Sequence, residues 1–191
     1  MFRFVARGPR PGLLLRYFVM DIPTNTPLRH IPDDYCPAGS AAWFTLGEGL
    51  DAGKRMFYYD YICGTGEPEA TVLMVHGNPE SSYTYRSIRD ALIASGRCLR
   101  LLAVDHIGFG LSDQADFEMV DMHHAANLQQ LVKHLDLRQL SLVVHDWGGP
   151  IGIAALLEEH WRVAALVVLN TTVFPMPRTG LSYTNFPAPW L

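Results

Sequence analysis

The sequence is poor in cysteine, has no long apolar run and carries no excess of positive charge, and each shortage removes a class of protein. The three cysteines among 191 residues, Cys36, Cys63 and Cys98, are odd in number and widely spaced. They fit neither a disulfide framework nor a metal-ligand spacing, and a reducing, cytoplasmic setting is the simplest expectation. No window of about 18 uninterrupted apolar residues exists, so no transmembrane helix is predicted. The net charge of −4 gives no support for a nucleic-acid or anionic-membrane partner. Internal repeats and low-complexity segments are missing too. The pair His123-His124 has no Glu-x-x-His spacing beside it, so it reads as a solvated helix start and not as a metal site. No cofactor and no metal are expected.

Acidic residues are absent from the first nineteen positions, where Arg3, Arg7, Arg10 and Arg16 stand. Leu13-Leu14-Leu15 is cut short by Arg16, which is poor for a secretory signal. Serine is too scarce for a good transit peptide. Two readings stay open: an upstream extension before a start at Met20, or genuine N-terminal structure.

What is present is ordinary for a globular domain: 49% hydrophobic and 18% charged residues, in a length that suits one core. Residues 1–42 read as an irregular lead-in, with Pro, Asp and Ser/Thr frequent from 22 onward. Ala42–Leu46 and Arg55–Ile62 bracket Asp51-Ala52-Gly53 and predict a hairpin. Thr71–His76, Leu99–Val104, Leu140–His145 and Val163–Asn170 are apolar runs of strand length. Between them, helical spacing appears at Ser82–Ser95 (Tyr85, Ile88 and Leu92 inward), Val120–Leu135 (Leu128, Leu131, Val132 and Leu135 inward) and Gly149–His160 (Ile153, Leu156 and Leu157 inward). The fold class predicted is α/β: a mostly parallel sheet with an antiparallel N-terminal hairpin and flanking helices. Ligands of such sheets bind beyond the carboxyl ends of the strands. Three candidate loops fall there: His76–Pro79, Asp105–Ser112 and Asp146–Gly149.

The third loop carries the chemistry. Strand, sharp turn and a helix opening at Gly148-Gly149 form the context of a nucleophile elbow, with Asp146 at the turn. Glycines let the helix pack hard on the strand. The backbone N–H of Trp147 is placed to meet charge that develops in an intermediate. A carboxylate nucleophile attacks an electrophilic sp³ carbon and leaves an ester on the enzyme, which water must then cleave. An Asp before a helix can equally be an N-cap; Trp147, both glycines and the second loop favour the chemical reading.

His76-Gly77-Asn78-Pro79, Asp105-His106-Ile107-Gly108-Phe109-Gly110-Leu111-Ser112-Asp113 and His145-Asp146-Trp147-Gly148-Gly149, in that order and spacing, resemble the haloalkane dehalogenases of the α/β-hydrolase fold. The resemblance covers roughly residues 43–177. His-Gly-x-Pro and Gly-Phe-Gly-x-Ser are shared widely among such hydrolases, whereas Asp-Trp-Gly-Gly narrows to an Asp nucleophile and Asn78 is the most discriminating residue. The resemblance implies that Asp146 is the covalent nucleophile and that Asn78 and Trp147 hold the leaving halide. Trp Nε1–H is donor only and an Asn amide offers two N–H groups, which suits an anion. The backbone N–H groups of Asn78 and Trp147 would also line an oxyanion hole. His76 is expected to orient the loop beneath Asn78, His145 to face away from the nucleophile, and Asp105 to brace its loop. Phe174, Pro175 and Pro177 are expected near a pocket mouth.

In the resembled family the general base is a His on a loop after the last strand, and none of the eight histidines here sits there. The acid follows either the fourth of these strands or a later one; the first position is taken by Asn170, so the resemblance implies the subset whose acid comes later. The expectation is therefore an N-terminal portion of a dehalogenase: a partial core over 43–177 and a tail over 178–191 where a cap would begin. Its small-molecule partners would be a halogenated alkane and water. Two rivals share the sequence features: an epoxide hydrolase with the same Asp nucleophile, against which Asn78 argues, and a non-catalytic hydrolase-fold remnant.

Overall fold

The computed structural model describes residues 26–172. Six strands form one sheet in the order β1-β2-β4-β3-β5-β6. The strands are β1 (Ala41–Thr45), β2 (Arg55–Cys63), β3 (Ala70–Val75), β4 (Leu99–Val104), β5 (Leu140–His145) and β6 (Val163–Leu169). The helices are α1 (Arg86–Ala94), α2 (Asp121–His134) and α3 (Gly148–Leu156). β1 and β2 form the predicted antiparallel hairpin, and β2 runs antiparallel to β4. From β4 to β6 every pairing is parallel.

The chain steps one way from β3 to β4, then crosses back over β3 to reach β5. Right-handed crossovers in opposite directions put their helices on opposite faces, and the packing follows. Leu73, Val75, Leu102, Val104, Leu142 and Val144 point to one face and pack with Leu128, Leu131 and Val132 of α2 and Ile151, Ala155 and Leu156 of α3. Their neighbours Val72, Met74, Leu101, Ala103 and Val143 point to the other, toward Tyr85, Leu92 and Tyr35. Apolar residues on both faces explain the uninterrupted apolar runs of β3, β4 and β5. The direction change also creates a switch point between the carboxyl ends of β3 and β5, where such sheets bind ligands.

Several helix expectations need correction. The segment predicted as helix from Ser82 opens as a 3-10 turn, Ser82–Tyr85, before α1. Ile88 is exposed, and the buried residue of α1 is Arg89. The Arg89 guanidinium donates to the carbonyls of Asp34 and Tyr35, both at 3.0 Å. The irregular lead-in thus supplies acceptors that no periodicity argument could include. α3 ends at Leu156, not at His160, and Leu157 beyond it is 66% exposed. Leu156 is buried as expected, and the rest of the inward face is Gly148, Gly149, Ile151, Gly152 and Ala155, because small residues let this helix lie close on the sheet. His124 is buried, not solvated; His123 does sit at the helix start, where its Nδ1 accepts the Val120 N–H at 3.2 Å. Phe174, Pro175, Pro177 and the first nineteen residues lie outside the described residues.

Candidate active site

Two of the three loops named from sequence meet at the switch point. Val75 of β3 pairs with Val144 of β5, so His76–Pro79 and His145–Gly149 leave the sheet side by side. Asp146 takes a left-handed conformation, φ +50°. L-residues adopt it at a cost that Asp and Asn bear best, because their short polar chains hydrogen-bond locally. The turn is held from three directions. Asn78 donates its backbone N–H to Asp146 Oδ1 at 2.9 Å. The Gly149 N–H reaches the Asp146 carbonyl at 3.1 Å, and the Thr171 hydroxyl, just past β6, donates to that same carbonyl.

Glycine makes this approach possible. A Cβ on Gly77 would lie 2.2 Å from Asp146 Oδ1 and 2.5 Å from Trp147 N. A Cβ on Gly148 would lie 2.0 Å from the Val75 carbonyl oxygen. Both glycines are required by close approach and not by a positive φ.

Asn78 is exposed, Asp146 half-buried and Trp147 40% exposed. Among the described residues, neither the Asn78 side-chain amide nor Trp147 Nε1 spends its N–H groups on another protein group, and no histidine ring hydrogen-bonds Asp146. The elbow therefore joins a carboxylate to backbone and side-chain donors, an arrangement able to attack an electrophilic carbon and stabilise a departing anion. An open cleft is lined by Pro79, Tyr83, Arg86, Phe109 and Gly110; neither Asp146 nor Trp147 lines it.

Behind Gly77 lies a buried imidazole stack. His76 Nε2 accepts the His106 backbone N–H at 3.1 Å, which fixes the proton on Nδ1, 2.7 Å from the Gly77 carbonyl it donates to. His76 thus orients the loop under Asn78, as expected. The His106 ring lies 4.4 Å from that of His76 and 4.9 Å from that of His124. Burial lowers the pKa of all three, that of His124 to about 4, and mutual repulsion lowers those of His106 and His124 further.

Asp105 is fully buried and braces its loop. Its Oδ2 accepts from the Tyr35 hydroxyl and the Leu111 N–H, and its Oδ1 from the Ser82 N–H, each at 2.7 Å. Burial and the neighbouring Asp105 charge push the Tyr35 hydroxyl well above its usual pKa. The second loop is therefore scaffold for the first.

The His145 ring is engaged by Glu80: its Nδ1 meets Glu80 Oε2 at 2.8 Å. Glu80 did not stand out in the sequence. The only signal was an acid directly after His-Gly-Asn-Pro, which reads as a solvated turn residue unless the neighbour from β5 is known.

A left-handed acid between strand and helix, at the switch point of a mostly parallel sheet, has the geometry of the strand-turn-helix elbow of α/β hydrolases. A family model for the alpha/beta hydrolase fold matches residues 70–187, and the chain belongs to that family. It is 38% identical over 131 residues to a cis-3-alkyl-4-alkyloxetan-2-one decarboxylase of Shewanella oneidensis, covering 66% of this chain and 39% of that one. It is 37% identical over 145 residues to haloalkane dehalogenase 2 of Mycobacterium bovis, covering 75% and 46%. Among solved structures, the haloalkane dehalogenase DpaA from Paraglaciecola agarilytica matches with a TM-score of 0.64 and 31% identity, over 78% of this chain and 51% of that one. The chain spans less than half the length of these two curated relatives.

Proposed function

We propose that the chain carries the nucleophile and halide-binding part of a hydrolytic dehalogenase site. The observation that carries this reading is the elbow itself: Asp146 at φ +50° with the Asn78 N–H 2.9 Å from its Oδ1 and Trp147 next in line. Identity to haloalkane dehalogenases supports the substrate class. One Asp146 oxygen attacks the carbon bearing the halogen. The carbon–halogen bond breaks, and the halide leaves with the bonding pair into the N–H groups of Asn78 and Trp147. The product is an alkyl ester of Asp146. Water then adds to the ester carbonyl, whose developing oxyanion faces the backbone N–H groups of Asn78 and Trp147. Alcohol leaves, the carboxylate returns and one proton is released. That second step needs a base, and no described histidine is placed on Asp146 to serve.

The test is intact mass after incubation with 1,2-dibromoethane. One bromoethyl adduct on Asp146, with one bromide released per adduct formed, is expected, and Asp146→Asn is expected to show neither. Unmodified wild-type protein with no bromide release would overturn the reading.

A second reading is favoured by the 38% identity to the Shewanella oneidensis decarboxylase. The same carboxylate would open a four-membered lactone, and loss of carbon dioxide would leave an alkene and a free Asp146. Carbon dioxide release from a 3,4-dialkyloxetan-2-one, with no halide release from alkyl bromides, selects this reading over the first.

A further inference from the structure

The contact between Glu80 and His145 closes a ring around the nucleophile. Glu80 follows Pro79 directly, and its own N–H bonds the Gly77 carbonyl at 3.2 Å, so it ends the tight turn that exposes Asn78. Its side chain folds back over that turn. Oε2 lies 3.4 Å from the Gly77 N–H and 2.8 Å from His145 Nδ1, and Oε1 accepts from the Thr84 hydroxyl at 3.1 Å. His145 is the last residue of β5 and the one before Asp146. The circuit runs Asp146 Oδ1, Asn78 N–H, Gly77, Glu80, His145 and back to Asp146. Two loops from different strands are thereby tied twice, once through the Asn78 N–H and once through the contact between Glu80 and His145.

We propose that Glu80 is a positioning residue: through His145 it locks the turn that aims the Asn78 backbone N–H at Asp146. The proposal rests on the reading of Asp146 as the nucleophile for its catalytic consequence, but not for its geometry. A carboxylate hydrogen-bonded to an imidazolium or imidazole N–H is about twice as strong a tie as a neutral pair. Glu80 is partly shielded, with a quarter or less of its side chain exposed. Burial would raise its carboxyl pKa, but the His145 hydrogen bond and charge, with the Gly77 N–H and the Thr84 hydroxyl, outweigh it and hold the carboxyl below the usual value. The other ionisable groups that feel Glu80 are His76 behind the loop and Tyr85 on the 3-10 turn, and His76 feels Asp146 as well. Burial pushes the His76 pKa down and the Tyr85 pKa up, and His145 is the ring that hydrogen-bonds Glu80 directly.

Nuclear magnetic resonance of the full 191-residue chain tests this directly. The Asn78 amide proton reports its hydrogen bond to Asp146. In Glu80→Gln, the Asn78 amide proton moves upfield. His145→Gln, which cuts the tie from the other side, moves the same amide in the same direction. Alkylation of Asp146 slows on the order of tenfold in both variants, the range lost with a charged hydrogen bond. An Asn78 amide that stays in place in both variants overturns the proposal, whether or not the melting temperature changes. If wild-type Asp146 is never alkylated, the dehalogenase reading fails, and the amide shifts still decide the role of Glu80.

Discussion

Asp146 combines a conformation that costs energy with a side chain that accepts a hydrogen bond from the neighbouring loop. Asn tolerates the same left-handed geometry, so Asp146→Asn removes the charge while keeping the turn. The glycines around it have no such substitute. Gly148→Ala would press a methyl group against the Val75 carbonyl at 2.0 Å, a backbone atom that cannot swing aside. Overpacking against backbone costs about 3 kcal/mol. Urea denaturation of Gly148→Ala is expected to show that loss as a lower midpoint with an unchanged slope; a midpoint equal to wild type would refute the close-approach argument. At this scale the sequence was readable for Asp146, Gly148 and Gly149, because a tight turn from strand to closely packed helix needs those types in that order. It was silent on Glu80, whose meaning depends on a residue 65 positions away.

At the scale of elements, the stack of His76, His106 and His124 joins the ends of β3 and β4 to α2. The pKa of His124 is about 4 in the folded chain, against an ordinary 6.5, because burial and neighbouring imidazoles oppose its charge. The unfolded chain therefore binds more protons between those two values. Stability is fully present above about pH 6.5 and declines as pH falls toward 4, with an upper bound of about 3 kcal/mol from this group. Thermal unfolding measured across that window is expected to show the decline in wild type and a flatter profile in His124→Phe, which keeps an aromatic ring but cannot be protonated. Equal slopes would place the acid sensitivity in other groups. The reading of His123-His124 as a solvated helix start failed for His124 because helical spacing alone does not locate the β4 loop that covers it. Helix α1 failed similarly at Arg89, whose acceptors come from residues 34 and 35.

At the scale of the whole molecule, the sheet is unevenly covered. The central strands are buried on both faces, while Leu166, Val167 and Val168 of β6 are 46%, 44% and 47% exposed. Among the described residues β6 pairs with β5 alone, and an apolar strand with an edge open there is a template for pairing with another chain. Val167→Lys places a charge on that strand. It is expected to lower light scattering on concentration, with a melting temperature within a few degrees of wild type. Unchanged scattering would show that β6 does not drive association. Among the described residues, no helix is long and apolar enough to cross a membrane.

By itself the sequence determined the class of fold, the placement of three loops on one sheet edge and the acid proposed as nucleophile. Those follow from local rules: apolar runs of strand length, helical spacing, and a Gly-rich turn that only a few residue types satisfy. Strand order had to come from the tertiary structure, because the crossover past β3 is a non-local pairing with no local signature. That order decided which two loops meet. It put Asn78 beside Asp146, left the Asp105 loop one strand away as scaffold, and brought Glu80 onto His145, turning an unremarked turn residue into the brace of the elbow.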